Sequence, residues 1–308
     1  MSKIVNLKQY DLIFTTSFFY THGVSGHLYE MVDYYDVCTS NGIRCAILLA
    51  DGVTKATFEQ AVKDKYNFTE QELAALFANT HECHQPLIIM ANNVCIVDGS
   101  WRILNCVMYA DNVFLLRCSE PDFTYFHNSK TIKNAHIMQD FKLYSERYEE
   151  LDVNVVDYIK KIRWSRYKYP SPATTDTALL YLTTSARADD AANIQRVIDN
   201  RVCSKYLIVT NDTARYSHLA SDTVFVEQAP VSNIFERFDK YVYTPTRWQT
   251  DCSPRFIVEC AVLGKEVIYE IDYECKGVNR RREDIAANLA GLELKDDDYF
   301  VSYVKMFI

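Results

Sequence analysis

The order of apolar and polar positions predicts alternating strands and helices. Asp11 to Phe19 is β-branched and aromatic, as in a buried strand, and Leu28 to Cys38 has helical spacing that ends near Asn41 and Gly42. A strand follows over Arg44 to Ala50, closed by Asp51 and Gly52, and then helical stretches over Thr57 to Lys65 and Thr69 to Ala78. Leu87 to Met90, Val94 to Val97 and Val113 to Cys118 read as further buried strands. Such alternation implies a parallel sheet covered on both faces.

A second alternating block begins near Thr177. It reads as strand Ala178 to Thr183, helix Asp189 to Asn200, strands Tyr206 to Thr210 and Thr223 to Glu227, helix Ser232 to Phe238 and strand Tyr241 to Tyr243. A helix from about Ser253 to Gly264 and the strand Val267 to Tyr269 complete it. Between the blocks, Pro170 and Pro172 mark a linker. The expected organisation is a first domain over 1–166, a linker over 167–175 and a second domain over 176–308, with the last helix free to return to the first. The fold class is therefore α/β, with two Rossmann-like domains facing each other across a cleft.

Composition narrows the function classes. The 308 residues are 48% hydrophobic and 24% charged, as in an ordinary globular protein. A net charge of −8 argues against binding nucleic acid through the whole surface, though a local basic groove stays compatible with it. The ten cysteines show no two-residue spacing of a zinc or redox motif, and Cys45, Cys95, Cys106, Cys118 and Cys260 sit in apolar runs, so they read as reduced core residues. His81, Glu82, Cys83 and His84 read as a surface loop, because adjacent side chains cannot converge on one ion unaided. No metal is expected. No apolar run approaches membrane-spanning length and Met1 to Tyr10 lacks a secretory pattern, so the expected location is cytoplasmic, with no membrane partner.

Residues 247 to 267 concentrate the candidate chemistry. Asp251 precedes a helix start, Ser253 and Pro254 suit its cap and first turn, and Glu259 lies a turn inside. A loop entering a helix over the carboxyl end of a strand is where α/β folds bind phosphate. The interval from Asp251 to Glu259, the small residues after it, Gly264, Lys265 and a strand resemble the donor site of retaining glycosyltransferases of the two-Rossmann (GT-B) type. Asp251, Cys252 and Ser253 depart from that family's usual glutamate and glycine-rich approach. The resemblance implies that Asp251 contacts the donor sugar, that amides near Ser253 to Arg255 hold a diphosphate, and that Glu259 binds the ribose.

Other segments fit the same reading. The turn Thr21 to His27 contains His22, Gly23, Ser25 and Gly26, and its glycines allow close backbone approach to an anion or sugar. With Glu30 it resembles the family's first turn, which faces the donor diphosphate; it reads equally as a tight connection without a ligand. Asp98, after a buried strand, reads either as the group accepting the acceptor proton or as half of an Asp-Gly turn. Asp251, Asp98 and His22 form the candidate catalytic set. Arg187, in the turn Thr183 to Arg187, resembles the family's diphosphate arginine; the lysine usual a few positions later is absent, which brings in Arg247 and Arg255.

The run Lys160 to Tyr169 interleaves Lys160, Lys161, Arg163, Arg166 and Lys168 with Trp164 and two tyrosines. It reads as a nucleic-acid contact or as a solvated helix leading into the linker. The expected activity is sugar transfer with retention from a nucleoside diphosphate sugar, a UDP-sugar, to a hydroxyl, with no permanently bound cofactor. Size, tyrosine content and this run suggest a resemblance to bacteriophage enzymes that glycosylate hydroxymethylated pyrimidines in double-stranded DNA, which would place the protein in host cytoplasm. A polysaccharide or small-molecule acceptor, or an inactive two-lobed binding protein, are the competing readings.

Overall fold

Every described strand in this computed structural model lies in one of two parallel sheets. The described residues are 3–16, 26–49, 53–82, 87–97, 107–117, 132–139, 154–169, 175–182, 191–228, 234–243, 255–269 and 289–308. The chain divides into two compact units: Met1–Lys168 with Ala290–Ile308, and Tyr169–Leu289.

In the first unit the strands are β1 (Lys3–Asn6), β2 (Leu12–Thr16), β3 (Cys45–Leu49), β4 (Thr80–Glu82), β5 (Leu87–Met90), β6 (Asn93–Val97), β7 (Val107–Arg117), β8 (Ile132–Gln139) and β9 (Asn154–Asp157). Helices α1 (Gly26–Ser40), α2 (Lys55–Lys65), α3 (Glu70–Ala78) and a C-terminal helix accompany them. Across the sheet the order runs β4, β3, β2, β6, β7, β8, β9, so successive strands are added outward in both directions from the β2/β6 boundary. This is doubly wound, Rossmann-like order, and that boundary is its switch point. Strands β5 and β6 pair with β7 in one continuous register, and β1 pairs with β5.

The second unit contains β10 (Thr177–Leu182), α4 (Ala191–Asp199), β11 (Lys205–Thr210), α5 (Thr213–Tyr216), β12 (Val224–Glu227), β13 (Lys240–Tyr243), α6 (Arg255–Val262) and β14 (Glu266–Tyr269). Its order, β12-β11-β10-β13-β14, is again doubly wound, with the switch point between β10 and β13. The final helix α7 (Tyr299–Lys305) belongs to the first unit.

Local chemistry explains the boundaries. Thr69 and Glu72 form a reciprocal capping box at the start of α3. α1 and α6 both end in Schellman turns: Gly42 (φ 79°) and Gly264 (φ 67°) take the left-handed position, while Ile43 donates to the Cys38 carbonyl and Lys265 to that of Cys260. Register in the first sheet is pinned by an asparagine ladder. Asn112 donates to Asn93 at 2.7 Å, Asn134 donates to Asn112 at 3.2 Å, and all three occupy paired positions.

Several expectations need correcting. His81 and Glu82 lie on β4, paired with β3, and not in a surface loop; Cys83 and His84 lie outside the described residues. Tyr167 is no linker residue, since it is buried and its hydroxyl donates to Asp33 at 2.7 Å. The described part of the expected helix at Ser232 to Phe238 is a turn, its helical spacing arising because Ile234, Phe235 and Phe238 all reach the core. Strand β8 was missed because Asn134 and His136 read as polar interruptions, although His136 is fully buried.

His136 stacks on Phe114 (4.8 Å) and its Nδ1 meets the Tyr303 hydroxyl at 2.9 Å. Burial lowers its pKa to about 4, so it is neutral at pH 7. A depressed histidine pKa contributes stability that is complete above the unfolded value near 6.5 and is lost as pH falls towards 4. Urea unfolding followed against pH should therefore show about 3 kcal/mol of loss across that window, and His136→Gln should flatten it. An equally steep loss in the variant would assign it to other groups.

Candidate functional site

In the second unit, β10 ends at Leu182 and β13 at Tyr243, the two strands that flank the switch point. The segments that leave these strands are those containing Arg187 and the run Arg247, Asp251 and Ser253; all four residues lie outside the described residues. α6 begins directly after that second segment. Its first turn carries Phe256, which stacks on Tyr181 (4.9 Å) and Phe235 (5.0 Å) and meets Tyr241 edge-on at 4.8 Å. These rings fix the amino end of α6 against the carboxyl half of β10.

Arg255 and Glu259 are both buried, at 8% and 5% exposure, and Arg255 Nε donates to Glu259 Oε1 at 2.8 Å across one helical turn. A carboxylate this deep needs a charged partner, and Arg255 supplies it. The two residues assigned to diphosphate and ribose thus engage each other as a buried pair.

The first unit treats the Lys160–Lys168 run differently from either sequence expectation. Glu30, Asp33 and Asp36 recur every third residue of α1, on one face, and are 1%, 0% and 8% exposed. Lys160 Nζ meets Glu30 Oε1 at 3.0 Å, while His27 Nδ1 meets the other oxygen at 3.1 Å. Asp33 accepts from the hydroxyls of Tyr66 (2.8 Å) and Tyr167 (2.7 Å). Asp36 pairs with Arg163 and, at 3.3 Å, with Arg166. Burial still raises the Asp36 pKa, although both arginines pull it down.

Lys161, Arg163 and Arg166 make further pairs. Lys161 meets Asp298 at 2.6 Å, Arg163 reaches Asp296 at 2.8 Å, and Arg166 pairs with Glu72 and lies over the Phe68 ring at 4.7 Å. Lys168 is exposed and donates to the Lys63 carbonyl, and Trp164 is half-buried in a short 3-10 turn. The run is neither a solvated helix nor a solvent-facing basic strip. It is a strap in which Lys160, Lys161, Arg163 and Arg166 pair with buried Glu30, Asp298 and Asp36, while Lys168 stays exposed.

In the first unit, His22, Gly23, Ser25 and Asp98 lie outside the described residues, and Gly26 opens α1. Thr16, the last residue of β2, was read only as part of a buried strand. It is 1% exposed, it pairs laterally with Val97, and its hydroxyl finds no hydrogen-bond partner among the described residues. Elsewhere, a cavity of ≈ 520 Å³ is lined by Ile4, Val5, Asn6, Lys55, Thr80, His81 and Glu82; the Glu82 carboxylate accepts the Lys55 amide at the start of α2. Among the described residues no group of three or more His, Cys, Asp or Glu could hold a metal ion, and no helix is long and apolar enough to cross a membrane.

Comparison with models of protein families and with curated proteins finds no match for this chain.

The charge pairing has a measurable consequence. Lys160→Met should leave the buried Glu30 carboxylate short of its cation and cost about 3–5 kcal/mol in urea unfolding, and adding Glu30→Met should recover most of that loss. Equal stability of wild type and Lys160→Met would show that the pair carries no net weight.

Proposed function

We propose that this protein transfers a glycosyl group from a nucleoside diphosphate sugar, a UDP-sugar, to a hydroxyl acceptor, with the donor held by the second unit. One observation carries the reading. β10 and β13 flank the switch point of a doubly wound sheet, and the chain leaving them contains Arg187, Arg247, Asp251 and Ser253 before entering α6. The doubly wound order of the first sheet and the inclusion of α7 in the first unit also support a two-Rossmann glycosyltransferase.

In this reading the amino end of α6 and the arginines stabilise charge that grows on the departing diphosphate, as fixed dipoles and cations do best in a site shielded from water. Asp251 addresses the sugar. Retention of configuration is what the family resemblance implies. The matched charges of Lys160 to Arg166 withdraw the feature that favoured DNA, so a hydroxymethylated base is only one of the acceptors this reading accommodates.

A panel of nucleotide sugars screened by thermal shift tests it. A UDP-sugar well above its Kd should raise Tm by several degrees, since a ligand that binds only the native state stabilises it by mass action. No shift with any nucleotide sugar, together with no release of UDP, would reject the proposal.

Glu259→Gln keeps the side-chain size and an acceptor for Arg255. If the carboxylate also serves the ribose, this change should weaken UDP binding on the order of tenfold while the unit stays folded. Unchanged affinity would confine Glu259 to its pair with Arg255.

A further inference from the structure

We propose that the seam between β1 and β4 binds an extended, acidic peptide segment of a partner, which pairs through its main chain with the two strand edges and sets a carboxylate on Lys55. The site lies wholly within the first unit and does not depend on the donor assignment above.

β1 and β4 are the two ends of the strand path β1-β5-β7-β6-β2-β3-β4, yet residues of both line the same cavity of ≈ 520 Å³. The sheet therefore curls until its ends face each other across that space. Main-chain groups of successive residues in a strand turn to opposite sides. Leu7 donates to Met90 of β5, so Val5 and Leu7 face β5, and Ile4 and Asn6 turn their N–H and C=O groups to the open side. Ile47 of β3 donates to Asn79, so His81 faces β3 and Thr80 turns away from it.

Ile4, Asn6 and Thr80 all line the cavity. Thr80 is 3% exposed, and no main-chain hydrogen bond reaches its N–H or C=O among the described residues. Buried main-chain groups are costly when unpaired, and an open strand edge is a template for a further strand.

Lys55, the first residue of α2, adds the charge. Its Nζ makes no ion pair or hydrogen bond among the described residues, whereas its main-chain amide is taken by the Glu82 carboxylate. Burial and the Lys55 cation hold the His81 pKa below its usual value, so Lys55 is the cation among the lining residues at pH 7. A carboxylate is the partner that this ammonium lacks, and a main chain is the partner that the strand edges lack. An extended peptide brings both, while a small anion brings only the first.

The test titrates the full chain with a capped tetrapeptide of alternating valine and aspartate and follows the Ile4, Asn6, Lys55 and Thr80 amides in 1H–15N spectra. All should move. Methylating the main-chain nitrogens of the peptide, or replacing its aspartates by asparagine, should weaken binding on the order of tenfold, and so should Lys55→Gln. Unmoved amides, equal affinity for either altered peptide, or equal affinity in Lys55→Gln would each overturn the proposal. Succinate, which has the carboxylates without a peptide main chain, should leave the Ile4, Asn6 and Thr80 amides in place. If it binds as tightly as the peptide, the cavity is a small-anion site and the proposal fails.

Discussion

Three buried carboxylates on α1 govern the first unit. A helix that presents Glu30, Asp33 and Asp36 on one face would ordinarily turn that face to water, because an unpaired carboxylate in the interior is very costly. Here the strap from Tyr158 to Lys168 meets that face, giving Lys160 to Glu30, the Tyr167 hydroxyl to Asp33, and both Arg163 and Arg166 to Asp36.

The same network binds the end of the chain to its beginning. Asp298 caps α7 through the Phe300 amide, accepts from Tyr158 and pairs with Lys161, while Tyr158 in turn meets Tyr34 of α1. α7 then delivers Phe300 onto Phe14 and Tyr303 onto His136. These contacts tie α1 both to the strap and to α7. In the second unit an aromatic cluster does the comparable task, with Phe256 holding the start of α6 against Tyr181 and Tyr241.

Much of the fold was legible because the relevant signals are local. The strand expected within Asp11 to Phe19, the helix ending near Gly42, the helical stretch from Thr69 and the glycine after α6 each rest on signals within a few residues, and the described strand covers Leu12 to Thr16. β8 escaped because polarity on a strand is legible only when the partners are known. His136 and Asn134 have theirs on other elements. The candidate site was less legible still. Glu259 carries the family-like spacing, yet its depth and its pairing with Arg255 follow from packing.

The sequence alone determined the alternation of strands and helices and hence a parallel α/β architecture, because hydrophobic period and helix-end chemistry are properties of neighbouring residues. Only the tertiary structure decided what the charged residues do. Lys160 to Arg166 read the same on paper whether they face phosphates, water or buried acids. The role of Lys160, Arg163 and Arg166 was fixed by α1, which lies more than a hundred residues earlier in the chain and carries the Glu30 and Asp36 they pair with. An electrostatic role belongs to a pair, and the pair exists only once the chain has folded.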